Sequence, residues 1–214
     1  MVPAPPDFQT VTPLFHVWEQ GEPIVRVYSS SFRENEFNPG RSGAGVRGRF
    51  HFFPDAAAKL VPVLYGSDLE DGAIAETIFH DVPVRGAVRT VAESRLDEAA
   101  IVTLEPRRDL ELVEQLGFGL RRLQLEPGDL TATHPTEYPR TVLWAQALHQ
   151  TFADIDGLVW MSKQFIAARA LLLFGDRVRQ ADLAVARPAM PLRAGSGRKL
   201  VDEAANRAGI VIVG

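Results

Sequence analysis

Residues 61–80 read Val61-Pro62-Val63-Leu64-Tyr65-Gly66-Ser67-Asp68-Leu69-Glu70-Asp71-Gly72-Ala73-Ile74-Ala75-Glu76-Thr77-Ile78-Phe79-His80. The first five residues are mostly β-branched or aromatic and predict a short strand. Ser67 to Glu70 has the Ser-x-x-Glu spacing of a capping box, so a helix is expected from there to about His80. Glu76 is the one charge between Ala73 and Phe79. On a helix it shares a stripe with Leu69, Ala73 and His80, which puts it at the border of the apolar face.

Upstream, Ile24-Val25-Arg26-Val27-Tyr28 predicts a strand, followed by a loop rich in Ser, Asn, Gly and Arg from Ser29 to Arg47. Arg49-Phe50-His51-Phe52-Phe53 alternates as a strand does and stops at Pro54-Asp55. Residues 1–22 hold four prolines and little periodicity, and read as an extended arm or as disorder. Downstream, Ala99–Leu104 predicts a strand, Asp109–Leu125 is charged with spaced leucines, and Pro127–Pro139 is a loop. Thr141–Phe152 has a helical pattern, in which Trp144 and Leu148 form an ordinary core stripe. Leu158-Val159-Trp160-Met161 is a strand running into Ser162, and Ala170–Phe174 a buried strand leaving through Gly175-Asp176. A proline-containing linker (Ala186–Pro191), a helix (Arg198–Arg207) and an edge strand (Ile210–Val213) complete the chain. Strands and helices mix without regular βαβ alternation, which favours an α+β fold.

At 214 residues, 46% hydrophobic and 23% charged, the chain has the composition of one sizeable globular domain. A net charge of −4 gives no field that would draw it to nucleic acid or anionic lipid. Cysteine is absent, which removes disulfides, thiolate metal sites and cysteine nucleophiles together. The first residues have no basic n-region, so no signal peptide is expected. The best apolar run, Phe165 to Phe174, is short for a membrane span and carries Arg169. A cytoplasmic protein is expected.

Several motifs fail on context. Gly43-Ala44-Gly45-Val46-Arg47-Gly48 spells GxGxxG, but a strand is expected after it where a dinucleotide fingerprint needs a helix. It reads as a glycine-rich turn flanked by Arg41, Arg47 and Arg49. No two of the five histidines have HxxxH spacing, so no metal is expected. No GxSxG elbow supports a serine hydrolase.

Each remaining polar residue has two readings. Glu76 is either a partly exposed glutamate whose stem covers apolar surface or a functional carboxylate. Arg26, inside Ile-Val-Arg-Val-Tyr, either faces solvent from an edge strand or meets an anion. Arg49 carries the same ambiguity. Tyr65 is either a core tyrosine or a ligand platform, and Ser162 taken alone is a strand-end serine.

Their order carries more information than any one of them. Arg26, then Gly48-Arg49-Phe50-His51, then Val63-Leu64-Tyr65, then Ala73-Ile74-Ala75-Glu76, and finally Leu158-Val159-Trp160-Met161-Ser162 before Leu171-Leu172-Leu173-Phe174 together resemble the RES domain. That family is named for an arginine, a glutamate and a serine, here Arg26, Glu76 and Ser162. The resemblance spans about residues 24 to 180. Phe50 stands where the family often has tryptophan, and the stretches Ser29–Arg47 and Val84–Pro139 are longer than in its smallest members.

The resemblance implies three segments: an arm (1–22), the RES domain (23–180) and a C-terminal extension (181–214). It implies an ADP-ribosyltransferase-like split mixed β-sheet flanked by helices, with NAD⁺ as substrate in a central cleft and no metal. Arg26, Tyr28, Arg49, Tyr65 and Ser162 are then expected to bind the dinucleotide, with guanidinium forks on the pyrophosphate and Tyr65 stacked on nicotinamide. Glu76, Arg26 and Ser162 are the expected catalytic residues. Glu76 would stabilise the oxocarbenium-like ribose and Ser162 would orient the ribose or carboxamide. Water, inorganic phosphate or a protein side chain would capture the ribose. The implied activity is thus that of an NAD⁺ glycohydrolase, an NAD⁺ phosphorylase or a protein ADP-ribosyltransferase, with a non-catalytic nucleotide- or partner-binding module as the other reading. The family also implies a toxin neutralised by an Xre-type helix-turn-helix antitoxin, with homo-oligomerisation left open.

Overall fold

The structure, a computed structural model, describes residues 2–40, 48–86 and 88–214. Arg41, Arg47 and the glycine-rich stretch up to Arg47 lie outside the described residues.

The strands are β1 (Phe15–Trp18), β2 (Ile24–Ser29), β3 (Val63–Ser67), β4 (Thr90–Ala92), β5 (Ala99–Pro106), β6 (Leu110–Gln115), β7 (Gly157–Met161), β8 (Arg169–Phe174), β9 (Leu183–Pro191) and β10 (Val211–Val213). The helices are α1 (Glu70–Thr77), α2 (Gly117–Arg122), α3 (Tyr138–Thr151) and α4 (Gly195–Ala208). Eight strands form one mixed sheet in the order β1-β6-β7-β8-β3-β2-β5-β9, while β10 and β4 pair in a small parallel sheet. Within the large sheet β6 and β7 run parallel and the other neighbours antiparallel. The fold is α+β.

Side-chain alternation sorts the core onto the two faces of this sheet. In β8, Leu171 and Leu173 join Trp18, Leu64 and Leu104 on one face. Ala170, Leu172 and Phe174 turn to the other, where Trp144, Ala145 and Leu148 of α3 pack on them. A third cluster places Ala73 and Ile74 of α1 and Val201 and Ala204 of α4 against Val25 and Ile101. No helix among the described residues is long and apolar enough to cross a membrane.

The sheet is split at its centre. β2 and β3 pair only at Val25 and Ser67, whereas β2 pairs with β5 along six residues. The chain between Ser30 and Gly40 enters the gap beyond that point, and Asn38 exchanges backbone hydrogen bonds with Val63 at 2.8 and 3.0 Å. Arg26 holds this loop, since its Nη1 donates to the carbonyls of Glu34 (3.0 Å) and Glu36 (2.7 Å). β2 is therefore an interior strand, which corrects the edge-strand reading of Arg26.

Other expectations are corrected as well. Arg49–Phe53 is not a strand: Gly48 bridges His51 around a turn at Arg49-Phe50. The expected capping box does not form, because Ser67 belongs to β3 and its hydroxyl donates to the Arg169 carbonyl. α1 begins at Glu70 without a side-chain cap and ends at Thr77, short of His80. The expected linker Ala186–Pro191 lies within β9, where Pro188 and Pro191 are tolerated because the strand is at the sheet edge. The N-terminal arm contains β1, and Val2 and Val11 are buried.

Candidate functional site

Where β2 and β3 part, a cavity of about 280 Å³ opens beneath α1. α1 lies close to the sheet because residue 72 is glycine: a Cβ there would collide with the Ser67 hydroxyl and Ala168. This brings Glu76, one turn further on, to the cavity wall. Glu76 Oε1 accepts the Ser162 hydroxyl at 2.6 Å and the Gln164 backbone N–H at 3.3 Å. Among the described residues Oε2 has no hydrogen-bond partner. Ser162 is itself buried behind the carboxylate, its N–H given to Ala168 and its Oγ also accepting the Phe165 N–H at 3.0 Å. It does not line the cavity; it grips Glu76 from the side away from it.

Arg49, Tyr65, Trp160 and Tyr138 form further wall. Arg49 is buried, stacks over Tyr138 at 5.6 Å, and donates through Nη1 to the carbonyls of Leu130 (3.0 Å) and Thr131 and to the Thr133 hydroxyl (3.0 Å). It thereby fixes the loop at residues 130–133. The Tyr65 ring meets Trp160 edge-on at 6.1 Å, and burial pushes its phenol above the ordinary range.

A second cavity of about 240 Å³ adjoins the first, sharing Val27, His51 and Tyr65. Arg26 and Tyr28 line it, with the Arg26 guanidinium 5.2 Å from the Tyr28 ring centroid. Burial lowers the Arg26 pKa to about 10, so the guanidinium remains charged at neutral pH. The six residues singled out in the sequence thus divide. Glu76, Arg49 and Tyr65 line the first cavity, Arg26, Tyr28 and Tyr65 the second, and Ser162 stands behind Glu76.

The model of the RES domain matches residues 23–194. The chain belongs to the RES-domain family. The matched range runs through β9. In fold it is similar to a chain of the M. tuberculosis MbcT–MbcA toxin–antitoxin complex, with a TM-score of 0.58 at 17% identity over 89% of this chain and 92% of that one. No curated protein sequence matches the chain.

Within this RES domain, sequence reasoning left His51, His80, Tyr138 and Trp160 without a role at the site, yet all four line the first cavity. The first two sit beside the quoted motif residues Arg49 and Glu76, which was the available signal. Tyr138 had none, because its place depends on Arg49 reaching 89 positions along the chain. Glu76, with one tethered oxygen and one that has no partner among the described residues, lines the first cavity together with the buried Arg49, and the buried Arg26 lines the adjoining one. Such a site suits a ligand with an anionic part and a part that becomes cationic. Among the described residues no three His, Asp or Glu side chains converge as a metal site would need.

Proposed function

We propose that this RES-domain chain is a toxin that binds NAD⁺ and cleaves its nicotinamide–ribose bond, passing ADP-ribose to water or inorganic phosphate. The observation that carries the reading is the state of Glu76: Oε1 is fixed by Ser162 and Gln164, and Oε2, at a cavity wall, has no hydrogen-bond partner among the described residues. A carboxylate fixed in this way keeps its charge aimed at one point without reorganising, which is what a developing oxocarbenium ion requires.

In the proposed reaction the bond from ribose C1″ to the pyridinium nitrogen breaks, and its electron pair leaves with neutral nicotinamide. Glu76 offsets the positive charge left on the sugar. An oxygen of water or phosphate then bonds to C1″, and water surrenders a proton to solvent or to the carboxylate. Arg26 and Arg49 supply the permanent positive charge that a diphosphate needs. Each cavity alone falls below the range of roughly 300–1,000 Å³ common for small-molecule sites, and the pair joined at His51 and Tyr65 reaches it. A protein partner that neutralises the enzyme, of Xre-type helix-turn-helix architecture, belongs to the same proposal, supported by the RES-domain match and by the toxin–antitoxin complex of similar fold.

The test is chromatography of NAD⁺ incubated with the purified protein, with and without phosphate. Release of nicotinamide with ADP-ribose identifies hydrolysis, and ADP-ribose 1″-phosphate identifies phosphorolysis. Glu76→Gln is expected to abolish both with the circular dichroism unchanged. Intact NAD⁺ under both conditions, or an active Glu76→Gln protein, defeats the proposal.

A further inference from the structure

His51 stands where the two cavities meet and lines both. Its Nδ1 lies 2.8 Å from the Tyr65 hydroxyl, which also accepts the Phe50 backbone N–H at 3.3 Å. A phenol has one proton to donate. Among the described residues Nδ1 is the acceptor within its reach, so Nδ1 receives that proton and the imidazole carries its own N–H on Nε2. Burial supports the assignment twice, since it keeps the Tyr65 phenol protonated and lowers His51 to about 4, leaving the ring neutral.

Packing fixes the ring. It lies over Gly48, where any Cβ would collide with it, and meets Phe52 and Tyr65 edge-on at 4.5 and 5.2 Å. Among the described residues nothing is hydrogen-bonded to Nε2. The cavities thus share a neutral and rigidly held N–H with no hydrogen-bond partner among the described residues.

We propose that His51 Nε2–H is a specificity-determining donor to an uncharged oxygen of the nicotinamide-riboside half of NAD⁺, a ribose hydroxyl or the carboxamide, and not to the diphosphate. This rests on the NAD⁺ reading above. The argument is one of charge. Arg26 and Arg49 already offer full positive charge to a diphosphate, and a neutral imidazole adds little beside them. At the reacting ribose the requirement reverses. Positive charge near C1″ opposes the cation that forms there, whereas a neutral N–H binds an oxygen without opposing it. A histidine tied to a phenol, and so unable to offer a cation, suits the riboside and wastes its chemistry on a phosphate.

The experiment uses the full chain with Glu76→Gln to prevent turnover, titrated calorimetrically with NAD⁺, nicotinamide mononucleotide and ADP. Adding His51→Ala is expected to weaken NAD⁺ and nicotinamide mononucleotide about tenfold, the worth of one neutral hydrogen bond in a closed site, and to leave ADP unchanged. His51→Gln, whose amide reaches where Nε2 stood, is expected to restore affinity, and His51→Asn, which mimics Nδ1, is not. Nitrogen-15 NMR at pH 7 is expected to find the imidazole proton on Nε2. Equal weakening of ADP, full binding of nicotinamide mononucleotide by His51→Ala, or a proton on Nδ1 overturns the assignment and leaves the NAD⁺ reading standing. Should none of the three ligands bind while His51 is intact, the NAD⁺ reading falls and the inference falls with it.

Discussion

The Ser162 hydroxyl donates to Glu76 Oε1 across 2.6 Å from a position that is itself shut away from the cavity. Serine and glutamate are 86 positions apart, on the end of β7 and on α1, and the bond joins the two sides of the site. In the proposed reaction Ser162 would therefore be a positioning residue acting through Glu76. Ser162→Ala removes a hydrogen bond to a charged acceptor, worth about 1.5–3 kcal/mol. The expected outcome is a kcat reduced by roughly ten- to a hundredfold with KM changed little, because the carboxylate is misaimed while the cavity walls remain. Steady-state kinetics on NAD⁺ checks this. A KM effect alone would instead mean that Ser162 touches substrate.

Arg26 reaches the backbone carbonyls of Glu34 and Glu36 from an interior strand, and that makes it a structural clamp as well as a cavity wall. Arg26→Ala leaves both carbonyls without their donor and lets the loop leave the gap between β2 and β3. A loss of about 2–4 kcal/mol in urea unfolding is expected, together with weaker NAD⁺ binding. Arg26→Lys is expected to recover only part of either, since an ammonium lacks the fork and loses its charge more readily when buried. An alanine variant as stable as the parent would remove the clamp from the account.

Asp156 gives a control remote from the cavities. Arg108 grips it with both nitrogens, at 2.7 and 2.6 Å, and the Glu111 N–H adds a third bond at 3.0 Å. The aspartate is buried, and its hydrogen bond to Arg108 raises the guanidinium pKa. Asp156→Asn breaks the charge pairing at the turn into β7 and, because Arg108 keeps contact with solvent, is expected to destabilise the protein by about 1.5–3 kcal/mol. KM for NAD⁺ should not move at temperatures where the variant stays folded. Thermal unfolding and initial rates, measured on the same preparation, separate the two effects.

Much of the frame was legible in the sequence for physical reasons particular to each element. β7, the bulk of β8 and the start of β3 are continuous apolar runs, β2 is a β-branched run broken only by Arg26, and α3 has a clear helical stripe. Glu76 and Ser162 were singled out together by the order of motifs along the chain, and the structure brings their side chains into contact. β9 was hidden by Pro188 and Pro191, which read as linker until one knows that the strand lies at an edge with a free side. β1 is four residues between a proline-rich arm and a glycine turn, too short to show alternation. The turn at Arg49–Phe53 imitates a strand because separate partners draw its side chains apart, Arg49 to the loop at 130–133 and His51 to Tyr65. Arg26 was flagged as an awkward charge, but its partners are main-chain carbonyls, which no side-chain pattern announces.

The neutrality of His51 makes a prediction about stability against pH. Its pKa falls from an ordinary 6.5 to about 4 on folding, because burial disfavours the imidazolium. As pH drops below about 6.5 the unfolded chain takes up this proton while the folded chain refuses it, so the unfolded state gains. Stability therefore declines progressively from about pH 6.5 to about pH 4, and this residue contributes no further decline below that. A pK difference of this size corresponds to at most roughly 3.5 kcal/mol. His51→Gln has nothing to titrate, so the gap in unfolding free energy between wild type and variant should shift in the variant's favour across that window and stay constant above pH 7. Urea titrations at half-unit pH steps measure it. A gap that does not change with pH would mean that His51 takes up its proton equally in both states, and that the pocket around its ring is wetter than its contacts with Gly48, Phe52 and Tyr65 imply.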